Sequence, residues 1–346
     1  MGVDLGDLAV KNKITLSNLS GKVIAVDAFN ILYQFLASIR QQDGMPLSDS
    51  KGNITAHLSG LFYRTAKLLE NGIKPVFVFD GEPSELKKRT HEERSAAKIA
   101  AEEKWKKALE EERLEDARKY AQATSRLTAE MVEESKELLD AMGIPCVQAP
   151  GEGEAQASEM VKEGLAYAVA SQDYDVLLFG AQRLVRNLSI TGKRKVPRQN
   201  RTVMIEPEEI VLEETLKALG INQEQLITIG ILVGTDFNMG VKRVGPKTAL
   251  AIVKEHKTFD DAIKYVVQKY GYTFEVEPEE VLKIFKEPRC NKNIEKPRWK
   301  RINAEAIDDI LVKRHEFSPE RVSSVVRTLE ERLKETSAQS KLESWF

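Results

Sequence analysis

The stretch QAPGEGEAQASEMVKEGLAYAVASQDYDVLLF, residues 148–179, carries four carboxylates in one strand–helix–strand pattern. Pro150 and Gly151 mark a turn. Glu152 and Glu154 follow, separated by one glycine. An alanine-rich helical run leads into the strand-like residues Leu165 to Ala170, and Asp173 and Asp175 come next. Side chains at i and i+2 of an extended segment share a face, so the two aspartates, if extended, point into one site. Glu152 and Glu154 cannot share a helix face at that spacing. They are expected in the turn or the first helical turn, where side chains project past the helix end.

Four carboxylates packed without a cation repel one another, and some must protonate. A divalent metal resolves the conflict, and hard Mg²⁺ takes carboxylate oxygens while keeping waters. Taken singly, each motif also reads as a surface turn or a helix cap, because Asp and Glu favour helix starts. The rest of the chain decides between these.

A chain of 346 residues, 42% apolar and 31% charged, supports a soluble globular core in one or two domains. No uninterrupted apolar run is long enough to span a bilayer, so no membrane partner is expected. The start, MGVDLGDLAV, lacks a basic region followed by an apolar one and does not read as a signal peptide. Gly6 stands where a myristoylation signal needs Ser or Thr. Cys146 and Cys290 form no CxxC, which excludes a disulfide scaffold and a cysteine zinc site. A reducing, intracellular setting is expected. The net charge of −2 gives no sign of nucleic acid, so the distribution of charge matters more.

Two further apolar runs, Gly21 to Asp27 and Pro75 to Asp80, each stop at an aspartate, and ILVGTDF carries Asp236. Strands alternating with helices predict an α/β fold, a largely parallel central sheet with helices on both faces. In such sheets the functional crevice lies at the carboxyl ends of the strands. Asp27, Asp80, Asp173, Asp175 and Asp236 then meet Glu152 and Glu154 on one rim. Seven carboxylates exceed the needs of one Mg²⁺. Two ions fit better, and such pairs stabilise both the attacking and the leaving oxygen in phosphodiester cleavage.

Positive charge is also present. Ser84 to Arg126 is almost all charge and alanine, with a thin apolar stripe, and reads as a solvent-exposed helical pair or a mobile insertion. Lys87 and Arg94 lie about two helical turns apart, so they can share a face. A solvated helix explains them equally well. Gly240 to Ala251, GVKRVGPKTALA, reads as a tight turn opening a helix. Gly245 permits close backbone approach, Pro246 suits the first helical turn, and the freed N–H groups there suit a phosphate oxygen. Lys242, Arg243 and Lys247 add charge. This is the helix-hairpin-helix pattern, about residues 226–256, that grips a DNA backbone without reading sequence; an ordinary helix start is the alternative. The basic segment Arg183 to Arg201 supports duplex contact, with a solvated hairpin the alternative.

The ordered set AVDAF…Y, VFVFDGEP, EGEA, QDYD, VGTDF and VGPKTA resembles the flap endonucleases of the structure-specific 5′-nuclease superfamily, over nearly the whole chain. The resemblance implies a Mg²⁺-dependent 5′ flap endonuclease with 5′–3′ exonuclease activity, acting at single-strand/double-strand junctions in DNA replication and repair. It implies the seven carboxylates as ligands of two metal ions, and Lys87 and Arg94 as stabilisers of the scissile phosphate. Tyr33 would stack on a base beside the cut, and Gly2 would lie near the active site once Met1 is removed. Residues 84–126 would form a helical arch over the site. The helix-hairpin-helix would hold the duplex, with a monovalent cation assisting. Where the family often has Ser-Glu-Ala-Glu, this chain has Gly151-Glu152-Gly153-Glu154, and two glycines are expected to loosen the turn.

The organisation expected is a single nuclease domain, 1–330, whose last helix covers Pro319 to about Lys334. A flexible tail, 331–346, follows. Gln339, Leu342, Trp345 and Phe346 resemble the motif by which replication proteins dock on the sliding clamp. Leu342 and Trp345 can share one helical face, and exposed aromatics at a chain end suit a partner's pocket. An end folded back on its own body is the alternative. A monomer is expected, cytoplasmic as in archaea or nuclear. The competing function is a non-catalytic junction-binding protein, with a DxD phosphatase a weaker third.

Overall fold

The computed structural model describes residues 2–41, 45–87, 126–189, 192–195 and 202–343. Arg94, Trp345, Phe346 and nearly all of the 84–126 segment lie outside the described residues.

The strand β2, Val23–Asp27, sits inside a seven-stranded sheet. Its alternation decides both faces. Ile24 and Val26 enter one buried cluster, and Ala25 enters the other. The strand β3, Lys74–Phe79, repeats the pattern: Val76 and Val78 face one core, Phe77 and Phe79 the other. Strands buried on both faces read as near-continuous apolar runs, which is how VIAVD and PVFVFD look. One core includes α1, Ala28–Ser38, and α2, Ala56–Glu70, together with the helix Ala129–Ala141 and the start of the C-terminal helix. The other includes the helix Gly153–Lys162 and the helices from Gln223 to Lys286.

With β1 (Asn12–Lys13), β4 (Cys146–Gln148), β5 (Ala168–Ala170), β6 (Arg183–Arg186) and β9 (Glu208–Val211), the sheet order is β1-β9-β6-β5-β2-β3-β4. The five strands from β6 to β4 are parallel, and β9 runs antiparallel to β6. The expected largely parallel sheet covered on both faces is therefore present. β7, Gly192–Lys195, in the basic stretch, and β8, Thr202–Ile205, just past it, pair as a separate antiparallel ribbon. The chain runs outward from β2 through β3 to β4, then returns to the far side of β2 as β5. That reversal makes the β2/β5 boundary the topological switch point, where such sheets open a crevice beyond the strand ends. Asp27 ends β2, and Asp173 lies three residues past β5.

Several boundaries differ from the expectations. β5 covers only Ala168–Ala170, and Asp175 opens a one-turn helix, Asp175–Leu178, so Asp173 and Asp175 are not two residues of one extended segment. Ile231 to Val233 belong to the helix Gln223–Val233. A reciprocal cap commits that stretch to helix: the Asn222 side chain accepts from Gln225 N, and Gln225 Oε1 accepts from Asn222 N. The last helix runs from Pro319 to Glu343 rather than ending near Lys334. No Gly or Pro interrupts ETSAQSKLE, and its Lys, Glu, Gln, Ala and Leu favour helix. Gln339 and Leu342 thus have helical backbone.

Candidate active site

The seven carboxylates arrive from separate segments. Asp27 ends β2 and caps α1, its Oδ1 accepting Asn30 N at 3.0 Å. Asp80 follows β3, and its Oδ1 accepts Gly153 N at 2.7 Å. Glu152 is the N-cap of the helix Gly153–Lys162 and Glu154 lies in its first turn, as their spacing requires. Asp175 accepts Val3 N at 2.8 Å. Asp236 comes from the loop after the helix Gln223–Val233.

The charges interact across these segments. Burial, then Asp80, then Asp173 push Asp27 up to about 7. Asp175 also rises to about 7, through burial first and then Asp236. Glu154 is raised well above the carboxylate range by burial, Asp27, Asp173 and Asp175. Burial raises Glu152 as well; Lys87 opposes the rise, and Asp80 and Asp236 add to it. Every one of the seven therefore interacts with another of the set, brought together by strand ends, the start of the helix Gly153–Lys162 and the loop after the helix Gln223–Val233. Asp27 is 4% exposed and Asp175 2%. Charges desolvated to that degree require a counter-charge.

Lys87 supplies part of it. Its ammonium is ion-paired with Glu152, and although burial lowers its pKa, Glu152, Asp80 and Asp236 together raise it above the ordinary value. Tyr33, on α1, is partly buried and feels both Asp80 and Lys87. Gly2 packs against the site. A methyl group there would lie 2.7 Å from Asp175 Oδ2 and 3.0 Å from Asp173 Cβ.

The residues fit a hard divalent cation. Glu152 Oε1 is buried without a hydrogen-bond partner, an orphaned acceptor in the midst of desolvated carboxylates. Among the described residues no three carboxylate, imidazole or thiol side chains close into a ready-made ion cage. Backbone N–H groups and Lys87 take up several of their oxygens.

The glycines of the EGE turn act differently from expectation. Neither has a positive φ. Gly153 is buried, and a Cβ on it would lie 2.6 Å from Asp80 Oδ1, while one on Gly151 would lie 3.2 Å from Arg289 O. They admit close neighbours rather than loosen the turn.

Two polar residues escaped the sequence reading. Ser171 Oγ lies 3.2 Å from Asp27 Oδ2 and 3.0 Å from Glu154 Oε1. Asn30 Nδ2 donates to Asp173 Oδ2 at 2.8 Å. Only their positions gave a signal: Asn30 three residues past Asp27, and Ser171 at the end of β5.

Further along, the loop between Val233 and Pro246 exposes Lys242 and Arg243, with Arg243 in the left-handed region at φ 70°. Gly245 caps the helix Pro246–Glu255, with nothing within 4 Å of where its Cβ would stand. Lys247 is exposed and pairs with Asp7 at 3.3 Å.

Residues 5–101 match the XPG N-terminal domain and residues 143–236 the XPG I-region. The flap endonuclease 1 of Pyrococcus furiosus is 52% identical over 347 residues, covering 100% of this chain and 99% of that one. The solved flap endonuclease-1 of Methanococcus jannaschii is 43% identical, with a TM-score of 0.74 over 97% of this chain and 100% of that one. The catalytic core of Rad2, solved in complex with DNA substrate, shares the fold at 23% identity, with a TM-score of 0.71 over 95% of this chain and 100% of that one. With the carboxylate rim at the switch point and this identity across the full length, the chain belongs to the flap endonuclease family.

Proposed function

We propose that this protein is a structure-specific 5′ flap endonuclease, with 5′–3′ exonuclease activity, hydrolysing phosphodiesters at single-strand/double-strand DNA junctions in replication and repair. The carrying observation is the set of seven mutually interacting carboxylates beside a buried lysine at the sheet's switch point. Asp27, Asp80, Glu152, Glu154, Asp173, Asp175 and Asp236 would hold divalent metal, for which Mg²⁺, as two ions, suits an all-carboxylate site. Bound metal supplies Lewis-acid stabilisation of phosphate oxygens and a water of lowered pKa.

The chain's own residues do the rest. Lys87, held protonated by Glu152 and Asp80, places a cation where a phosphate gains charge, and Arg94 is proposed as its partner. Tyr33 offers a ring near Asp80 and Lys87 for a base beside the cut to stack on. Lys242, Arg243, Gly245 and Lys247 present backbone N–H groups and cations to a phosphate backbone, as a helix-hairpin-helix does. The 84–126 segment is proposed as an arch over the site. The tail residues Gln339, Leu342, Trp345 and Phe346 are proposed to dock a sliding clamp, with the enzyme a monomer.

The test is cleavage of a labelled double-flap DNA with and without Mg²⁺. Metal-dependent cutting at the junction supports the proposal. Tight binding with no cutting in either condition returns the junction-binding alternative.

A further inference from the structure

Asn30 touches both sides of the switch point. It is the third residue of α1, and its backbone N–H donates to Asp27 Oδ1 at 3.0 Å. Its side chain reaches across to the loop after β5. Oδ1 accepts the Gln172 N–H at 3.2 Å, and Nδ2 donates to Asp173 Oδ2 at 2.8 Å. A backbone N–H can only donate, so Gln172 fixes which end of the amide is oxygen. The nitrogen must then face Asp173, and it demands an acceptor there.

The loop is otherwise braced away from Asp173's side chain. Arg186 Nε donates to Gln172 O at 3.1 Å, and Asp173 N donates to Ser171 Oγ at 3.2 Å. The backbone of Gln172 is therefore held on both sides, by Asn30 at its N–H and by Arg186 at its carbonyl. With the loop fixed, the Asp173 carboxylate accepts one side-chain hydrogen bond among the described residues, from the Asn30 amide. Asn is a mediocre helix former at this place. A residue that breaks a local preference inside a functional cluster points to a role in that cluster.

We propose that Asn30 is a positioning residue for the metal-dependent reaction. Its amide holds Asp173 in the rotamer that presents the second carboxylate oxygen to the ions, and couples Asp173 to Asp27 through one side chain and one backbone N–H. This rests on the function proposed above. Partners that orient a metal-binding side chain typically contribute about 10–100-fold to metal affinity or activity. The backbone bond to Asp27 survives any substitution at residue 30 except proline, so side-chain changes remove the Asp173 and Gln172 contacts while sparing Asp27, and the Asp173→Ala background separates the first from the second.

The experiment is Mn²⁺ binding by calorimetry on the full chain without DNA, for wild type, Asn30→Ala and Asn30→Leu, the last filling a similar volume. Melting temperature in chelator is the folding control. The inference expects both variants to melt close to wild type, to bind Mn²⁺ about tenfold or more weakly, and to need correspondingly more Mg²⁺ for half-maximal flap cleavage. In an Asp173→Ala background, Asn30→Leu should weaken Mn²⁺ no further. Unchanged Mn²⁺ affinity in a folded Asn30 variant overturns it, as does an equal further loss in the Asp173→Ala background. A rate lost at every Mg²⁺ concentration with unchanged Mn²⁺ affinity also overturns it, because Asn30 is then only structural. If wild type itself neither binds Mn²⁺ nor cuts, the nuclease proposal falls, and this one with it.

Discussion

Lys87 and Glu152 form an ion pair whose side chains are only 16% and 12% exposed. Glu152 lies at the start of the helix Gly153–Lys162 and Lys87 at the base of the charged 84–126 segment, so the pair joins that segment to the carboxylate rim. Its chemistry is asymmetric. The carboxylates keep Lys87 charged, while Lys87 restrains the rise that burial imposes on Glu152.

Lys87→Ala removes the cation without removing a carboxylate. Single-turnover cleavage of a flap substrate should fall by about 10²–10³-fold, the usual scale for one charge-stabilising donor. Affinity for flap DNA should change far less. A collapse of affinity with an intact chemical step would assign Lys87 to binding alone.

Asp27 and Asp175 give the metal-free protein a distinctive pH dependence. Both rise to about 7 in the fold from an ordinary 3.8. Between those values the folded state holds protons that the unfolded state has released, so this contribution is fully present below the lower value and is lost as pH rises through about 7. The chelated protein should melt several degrees higher near pH 6 than near pH 8, and Asp175→Asn should flatten that slope. Mg²⁺ should displace protons on binding, measured by calorimetry in two buffers of different ionisation enthalpy. A flat melting profile with no proton release would contradict the burial of these groups.

Gly2→Ala tests the packing of the first residues against the site. The added methyl would lie 2.7 Å from Asp175 Oδ2, so the carboxylate must move. Cleavage should fall at least about tenfold if Asp175 helps hold metal, a loss on the scale seen for partners of metal ligands, with thermal stability little changed. Wild-type turnover would remove Gly2 and Asp175 from the proposed site.

The sequence made the central strands legible because VIAVD and PVFVFD bury both faces, and each ends at a carboxylate on the rim. Glu152 and Glu154 were legible for a geometric reason: an i, i+2 pair in a helical run fits only at its start. Asp175, expected in an extended pair with Asp173, opens a one-turn helix instead, and the ILV run before Asp236 ends a helix. An apolar run such as ILV fits a buried strand or a buried helix equally, and the deciding cap, Asn222 with Gln225, lies upstream. Asn30 and Ser171 were invisible because the contacts that tie them to the far side of the site, Asp173 and Asp27, are 143 and 144 positions away in sequence. The strap after Lys286 was also missed. Trp299 Nε1 donates to Pro75 O at 3.0 Å, and Gln156 exchanges two hydrogen bonds with Asn291. No periodicity announces a segment held by its backbone.

The C-terminal residues offer a separable prediction. Deleting Gln339 to Phe346 should leave cleavage of a small flap substrate unchanged and abolish stimulation by a sliding clamp. Stimulation that persists, or a truncated enzyme that unfolds, would overturn the docking role.

The most direct test of the central claim is single-turnover cleavage of double-flap DNA by Asp80→Asn and Asp173→Ala, with flap-DNA affinity measured alongside. Asparagine at 80 keeps an acceptor for the Gly153 N–H, so the change is chiefly one of charge. Cutting should be lost in both variants at saturating Mg²⁺ while DNA affinity stays within a few-fold of wild type. Wild-type-like turnover in either variant would contradict the carboxylate rim as the seat of catalysis.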